Sequence, residues 1–277
     1  MPIPPAILTL LTGMVLVLTG LWVGQNVNLL PADASSNAPI YDELFKVLFS
    51  IGTILFVGIV GLIVYSLARF RRRSGDLSDG LAIEGNLPLE ILWTAIPAVV
   101  VLFVGIYSYD IYDRMGGMTP LNDHSMHAMH EQHTWAGISP VTTATEDATS
   151  PAALPVEVTA MQFAFIFHYP EANITSGELH VPLGQPVALR MQANDVIHAF
   201  WVPQFRLKQD VIPGQPTLLS FTPTRTGSYP IVCAELCGPY HGGMRSTVVV
   251  EEPDTFADWV ARNSPAPAST SPSALTT

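Results

Sequence analysis

Two cysteines, a histidine and a methionine fall within one short stretch near the C-terminal end of the sequence. The stretch reads CAELCGPYHGGM and contains Cys233, Cys237, His241 and Met244. Thiolate and thioether are soft ligands, and together with imidazole they favour copper over hard cations. A second histidine, His198, lies upstream at the end of another predicted strand. The glycines and the proline of the stretch let one loop curl, so that several side chains can converge on one point.

The second cysteine decides between the kinds of metal site. A single blue-copper ion needs one Cys, two His and a weak axial Met, whereas two thiolates can bridge two copper ions. Sharing charge over two metals limits the change in each bond on oxidation, which suits electron transfer. Tetrahedral zinc is the competing metal, because two Cys and two His satisfy it and Met244 is then idle. A disulfide between Cys233 and Cys237 is the third alternative, and it leaves the histidines and the methionine unexplained.

The composition limits the class of protein. Hydrophobic residues make up 48% of the 277 residues and charged residues 13%, a composition typical of a chain that lies partly in lipid. The formal net charge is −11, from 12 basic and 23 acidic residues. We therefore expect no nucleic-acid partner, because nucleic-acid binding needs clustered cations. An acidic surface suits a basic partner instead.

Three apolar segments come before the stretch that contains the two cysteines. Residues 1–32 carry no charge, and Ile7–Val23 is nearly continuously apolar. Since Ala32-Asp33-Ala34 resembles a cleavage site, residues 1–34 are either a signal peptide or an extra membrane helix. The segments Val47–Ala68 and Ile91–Tyr109 carry no charge and no polar face, and each is long enough to cross a bilayer. The sequence therefore predicts a transmembrane hairpin over residues 41–113.

Charged residues at the ends of these segments predict the orientation. Four arginines within residues 69–73 follow the first span and mark the cytoplasmic side, so the C-terminal part is exported. Glu90 opens the second span from the same side. A carboxylate at membrane depth is costly unless it has a function, and an interfacial anchor is the alternative.

The exported part divides into a linker, a strand-rich domain and a tail. Residues 114–153 contain little that could pack, and their histidines and methionines predict either transient copper capture or a solvated spacer. These are His124, Met126, His127, Met129, His130 and His133. Over residues 154–262, about seven short alternating strands between Gly-containing turns predict an antiparallel sandwich. Residues 263–277 predict a disordered tail.

The dinuclear copper (CuA) motif of cytochrome c oxidase subunit II is similar to the pattern His198…Cys233-x-Glu235-x-Cys237-x-x-x-His241-x-x-Met244. The resemblance covers about residues 41–262, and residues 90–94 and 197–203 are similar to cyanobacterial members. It implies that the six named residues are copper ligands, with Glu235 contributing its backbone carbonyl. It also implies that the Glu235 side chain helps to hold a magnesium ion shared with subunit I. The implied fold is a transmembrane α-helical hairpin followed by an all-β, cupredoxin-like Greek-key sandwich.

The same resemblance gives roles to residues outside the motif. It implies that Glu90 lies at the entrance of a proton channel and that Asp210 lies near the docking face for cytochrome c. The family has tryptophan-rich aromatics after a glutamine where the electron enters, whereas this chain has Phe163 and Phe165 after Gln162. Phenylalanine keeps a flat apolar contact but loses the indole N–H. Phe163 and Phe165 are therefore electron-entry candidates, and both also suit a core.

The implied function is that of subunit II of a proton-pumping terminal oxidase. A soluble donor such as cytochrome c gives electrons to the dinuclear copper, which passes them to haem in subunit I for the reduction of oxygen to water. The expected partners are subunit I, subunit III, the donor and membrane lipid. The expected place is a bacterial inner or photosynthetic membrane, with the C-terminal domain on the periplasmic or lumenal side. The alternatives are a nitrous-oxide or nitric-oxide reductase, a quinol oxidase subunit and a membrane-tethered copper chaperone.

Overall fold

The computed structural model describes residues 4–72, 75, 85–115 and 153–265. These residues form two compact units. The helical unit takes the chain up to Leu30 and then Ile40–Tyr112, while the β unit takes Pro31–Pro39 and the chain from Asp113 onward. Most of the predicted linker and most of the predicted tail lie outside the described residues, as do His124, His127, His130 and His133.

The helical unit contains three long helices: α1 (Pro5–Asn26), α2 (Ala38–Arg69) and α3 (Leu87–Arg114). Each is long and apolar enough to cross a membrane. Their large apolar side chains are exposed on all sides, as expected of helices whose solvent is lipid. A proline at the first position of α1 lacks an N–H that would have no partner there, so it favours the start of the helix.

The β unit is a sandwich of two five-stranded sheets, followed by a short helix, α4 (Pro253–Asn263). The first sheet has the order β3-β2-β1-β5-β8 and the second β4-β10-β9-β6-β7. The strands are β1 (Leu154–Met161), β2 (Ala164–Tyr169), β3 (Ile174–Ser176), β4 (Leu179–Pro182), β5 (Val187–Ala193), β6 (His198–Val202), β7 (Leu207–Val211), β8 (Thr217–Phe221), β9 (Gly227–Cys233) and β10 (Arg245–Glu251).

The predicted fold class, membrane helices followed by an all-β sandwich, is confirmed. Two details of the prediction were wrong. Two strand pairs, β1 with β5 and β4 with β10, run parallel, because the chain changes sheet between β3 and β4 and again between β4 and β5. The sandwich also has more strands than the seven expected, since β3 is too short to show an alternating pattern and β7 is interrupted by charges.

The core lies between the sheets, and alternation along each strand builds it. In β5, Val187, Leu189 and Met191 are buried at every second position. Phe165 of β2 meets Phe200 of β6 edge to face across the core, with ring centroids 6.0 Å apart. A fully buried side chain of this size contributes about 1.5–3 kcal/mol. Phe200 pairs with Cys233 in the β6–β9 register, so core packing fixes the end of β9. We call the loop that begins there, residues 233–244, the metal-type loop because it contains most of the predicted metal ligands.

Candidate metal centre

The last residue of β9 and the loop between β9 and β10 together carry four of the five side chains expected to bind metal. Cys233 is the last residue of β9, and its N–H donates to the carbonyl of Met244 at 3.1 Å, which closes the loop at its base. His241–Gly243 form one turn of 3-10 helix within the loop. Gly238 has φ +135°, and a β-carbon there would lie 2.8 Å from Nε2 of Gln162, so the turn requires glycine.

The structure brings all the predicted copper ligands together. The Sγ atoms of Cys233 and Cys237 are 3.8 Å apart and are not bonded to each other. Each sulphur faces one imidazole Nδ1, at 3.9 Å from Cys233 to His198 and 3.5 Å from Cys237 to His241. A weaker donor atom lies beside each cysteine sulphur. The Sδ of Met244 is 3.7 Å from Cys237, and the carbonyl of Glu235 is 3.3 Å from Cys233.

The cluster is shielded from water. His198, Cys233, Cys237 and Met244 are buried, while His241 and Glu235 are partly exposed. Burial raises the pKa of the Cys237 thiol to about 11, and the adjacent Cys233 acts in the same direction. A bound metal cation reverses this preference, because a coordinating thiol loses its proton. Soft, buried donors that include two sulphurs fit copper.

Asp195 positions one of these ligands, and sequence reasoning missed it. Nε2 of His198 lies 2.8 Å from Oδ1 of Asp195, so the ring donates its proton there and leaves Nδ1 facing Cys233. The carboxylate also accepts the N–H groups of Gln162 at 2.6 Å and Val196 at 2.7 Å. Burial pushes the pKa of Asp195 upward, but these hydrogen bonds outweigh it and hold that pKa below its ordinary value. The available signal was a carboxylate three residues before a predicted ligand histidine.

The turn after β1 lies against the metal-type loop. Nε2 of Gln162 donates to the carbonyl of Cys237 at 2.6 Å. The Phe163 ring contacts Tyr240 edge to face, with centroids 5.4 Å apart, and lies beside Gly238. Of the two electron-entry candidates, Phe163 is therefore at the loop and partly exposed, whereas Phe165 is buried in the sandwich core.

Two further predicted residues have identified local partners. Asp210 lies on β7 and accepts a hydrogen bond from Nζ of Lys208 at 2.7 Å, and both side chains are about half exposed. Oε1 of Glu90 accepts the N–H of Asn86 at 3.1 Å, while the Asn86 side chain accepts the N–H of Leu89 at 3.2 Å. This reciprocal arrangement caps the start of α3, where a negative charge also favours the helix dipole.

Within the part of the chain that the structure describes, the Glu235 side chain belongs to no group of three or more metal-binding side chains. Among residues 4–72, 75, 85–115 and 153–265, the only group of His, Cys, Asp and Glu that could hold a metal is His198, Cys233 and Cys237. The magnesium role of Glu235 stays a prediction.

Comparisons with known proteins give a consistent result. Residues 20–111 match the family described as cytochrome C oxidase subunit II, transmembrane domain, and residues 171–252 match its periplasmic domain. The chain is 48% identical to cytochrome c oxidase subunit 2 of Thermostichus vulcanus, over 94% of this chain and 86% of that protein. It is 46% identical to the corresponding protein of Synechocystis sp., over 96% and 85% respectively. The predicted cyanobacterial resemblance is confirmed.

The β unit is also similar to a solved structure, the periplasmic domain of subunit II of cytochrome oxidase from Bradyrhizobium japonicum. The two are 30% identical with a TM-score of 0.39, over 41% of this chain and 95% of that one.

Proposed function

The chain belongs to the cytochrome c oxidase subunit II family, and on that premise we propose that its sulphur–imidazole cluster holds a dinuclear copper centre of the CuA type. The observation that carries the proposal is the pairing of each cysteine sulphur with one imidazole nitrogen. Each half of the cluster therefore offers one histidine and one weaker donor, around two sulphurs that both halves share.

The number of donors favours two copper ions over one zinc ion. Tetrahedral zinc takes four ligands, which two cysteines and two histidines already supply. Here the Met244 sulphur and the Glu235 carbonyl also lie close to the cysteines, so the cluster has six donors. Thioether is a ligand that copper sites use, whereas zinc sites are built from cysteine, histidine and carboxylate.

When bound, the copper pair supplies a carrier of single electrons. The residues of this chain hold the donors in place and keep water away. Asp195 fixes the ring of His198 and accepts the N–H of Gln162, whose side chain fixes the carbonyl of Cys237, so the β1–β2 turn supports both halves of the cluster. Rigid, buried ligands change little between oxidation states, which lowers the cost of each transfer.

The proposed electron path runs from a small soluble donor, such as a cytochrome c, through this centre to haem in subunit I, where oxygen is reduced to water. Leu236 and Tyr240 lie in the metal-type loop and are 80% and 72% exposed, so they offer apolar contact beside Phe163. Exposed large apolar side chains that cluster on a soluble surface mark interaction sites. We propose that the soluble electron donor docks near Phe163 and Asp210.

Further roles follow from the family and remain proposals. The Glu235 side chain would complete a magnesium site with subunit I, and Glu90 would lie at the entrance of a proton channel. Subunit III is a further proposed partner. The β unit would lie on the periplasmic or lumenal side of a bacterial inner or photosynthetic membrane.

Electron paramagnetic resonance of the full-length chain, purified in detergent and loaded with copper, tests this function. We expect hyperfine structure from one electron shared over two copper nuclei. His241→Asn should remove that pattern. The matched control His168→Asn should retain it, because His168 lies on β2 and contacts Thr175. A mononuclear copper signal from the unaltered chain would contradict the dinuclear centre.

A further inference from the structure

The segment Pro31–Pro39, which we call the strap, connects α1 to α2 in the chain but belongs to the β unit. Ala34 and Ala38 are 0% exposed and Ser35 is 1% exposed. A connection between two membrane helices has no reason to bury its small side chains in this way. Burial to this degree indicates that the strap is a component of the sandwich.

Backbone hydrogen bonds attach the strap to two loops of the sandwich. The N–H of Ala34 donates to the carbonyl of Gln204, and the carbonyl of Ala34 accepts the N–H of Thr224, both at 3.0 Å. The N–H of Ser36 donates to the carbonyl of Thr222, also at 3.0 Å. Gln204 follows β6 of the second sheet, whereas Thr222 and Thr224 follow β8 of the first. The strap therefore ties the two sheets together.

Side chains reinforce the same attachment. Oγ of Ser35 donates to the carbonyl of Phe205 at 2.8 Å, and both partners are buried. Nη2 of Arg206 donates to the carbonyl of Pro31 at 2.7 Å. Arg225 and Asp33 form a largely exposed ion pair at 3.4 Å, which adds little in water.

A cut after Ala34 would damage this arrangement. It would place a chain end, with its new charge, beside a buried serine. If the N-terminal piece then left, the carbonyl of Gln204 and the N–H of Thr224 would lose their strap partners. The small-x-small sequence Ala32-Asp33-Ala34 therefore has a structural use, which is to fit against the sandwich.

A second observation, within the helical unit, concerns α1 itself. A β-carbon at Gly24 would collide with Ser50 of α2, and one at Gly20 would collide with Ile54. Glycines at this spacing let two helix backbones approach closely in lipid. The 22 residues of α1 are also long and apolar enough to cross a membrane as a helix. The close packing of α1 on α2 favours a helix that is retained in the mature protein.

We infer that the strap is a permanent part of the sandwich that remains uncut, and, from the close packing of Gly20 and Gly24 against α2, that α1 is kept as a third membrane helix. The family's anchor has two spans. The inference does not depend on the copper centre, because none of its contacts involves a proposed metal ligand.

The first test is the mass and the N-terminal sequence of the protein purified from the membranes of its own host. We expect a chain that still contains residues 5–26. An N-terminus at Ser35, or at any residue from Val27 to Pro39, would overturn the inference.

The second test is hydrogen–deuterium exchange of the full-length chain in detergent. We expect the amides of Ala34, Ser36 and Thr224 to be protected as strongly as those of the sandwich strands. Ser35→Ala should speed exchange at these amides roughly fivefold, because it removes the bond to Phe205. Ser36→Ala is the matched control, since the Ser36 side chain is exposed, and it should leave exchange unchanged. Strap amides that exchange like an open loop would overturn the inference even in an uncut chain.

Discussion

Two histidines of the sandwich lie beside carboxylates, and their surroundings differ in one decisive respect. His198, at the metal-type loop, uses Nε2 to bond Asp195 and turns Nδ1 toward the Cys233 sulphur. His180 lies on β4, beneath α4. Its Nδ1 is 3.3 Å from Glu251, its Nε2 is 3.9 Å from Glu178, and its ring stacks on Trp259 at 4.3 Å.

The difference shows what makes a buried histidine available to a metal. At His198 one nitrogen is oriented by an acid and the other faces soft donors. At His180 both nitrogens face acids and one ring face is covered, so the side chain holds α4 against the sandwich. Tyr169 strengthens this second region, because its hydroxyl bonds both the N–H and the carbonyl of His180, and burial raises its pKa.

The largest expected effect is on metal content. His198→Asn should reduce copper bound by the purified chain by at least about a hundredfold, because it removes a ligand from a buried site. His180→Asn, the matched change in the other region, should leave copper content unchanged. Elemental analysis of the two variants and the parent measures this. Equal copper in all three would contradict the assignment of His198 as a ligand.

The next effect is on stability at the α4 region. Trp259→Ala should lower the free energy of unfolding by about 3 kcal/mol, because the ring is buried against His180, Tyr169 and Phe256. Copper content should be retained. Denaturant unfolding of the full-length chain gives the energy. A loss below about 0.5 kcal/mol would show that α4 contributes little to the sandwich.

A smaller effect is expected at the residue that orients the ligand. Asp195→Asn should weaken copper binding by about 10–100-fold without removing it, because the amide bonds the imidazole less strongly. It should also alter the electronic spectrum of the copper centre, which a general loss of stability would not. Asp258→Asn, on the exposed face of α4, is the control. An unchanged copper affinity and an unchanged spectrum would show that Asp195 only closes a turn and does not orient His198.

The smallest effect is expected at the surface. Asp210→Asn should slow association with a basic donor protein by about two- to fivefold at low salt, with a smaller difference at high salt. Stability should change by less than about 0.5 kcal/mol, since the Lys208–Asp210 pair is exposed. Stopped-flow electron transfer at two ionic strengths measures the rate. A salt-independent change would rule out electrostatic steering by Asp210.

Sequence alone predicted what is local. The loop from Cys233 to Met244 contains most of its own cluster, so residue types and spacing indicated a metal site, and the family resemblance supplied the proposed ligand set. Asp195 was missed because a carboxylate before a strand has the same pattern whether it closes a turn or orients a ligand. The parallel pairing of β1 with β5 was missed because it depends on an exchange between sheets that no local period records.

The strap was missed for a related reason. The small-x-small sequence Ala32-Asp33-Ala34 predicted a boundary after residue 34, inside Pro31–Pro39, and the segment is too short to show an apolar period. Its burial is created by loops that come much later in the chain. The hydrogen bond from the Ser35 hydroxyl to the Phe205 carbonyl joins residues that are 170 positions apart in the sequence.

That separation also sets the order in which the molecule can be assembled. Contacts between residues far apart in sequence form slowly, because the chain must lose the entropy of closing a long loop before it gains the bond. The strap is synthesised before most of α2, all of α3 and every strand, so its partners are made long after it. Its docking is therefore a late step of folding, one that can be completed only after β8 and the residues that follow it have been synthesised.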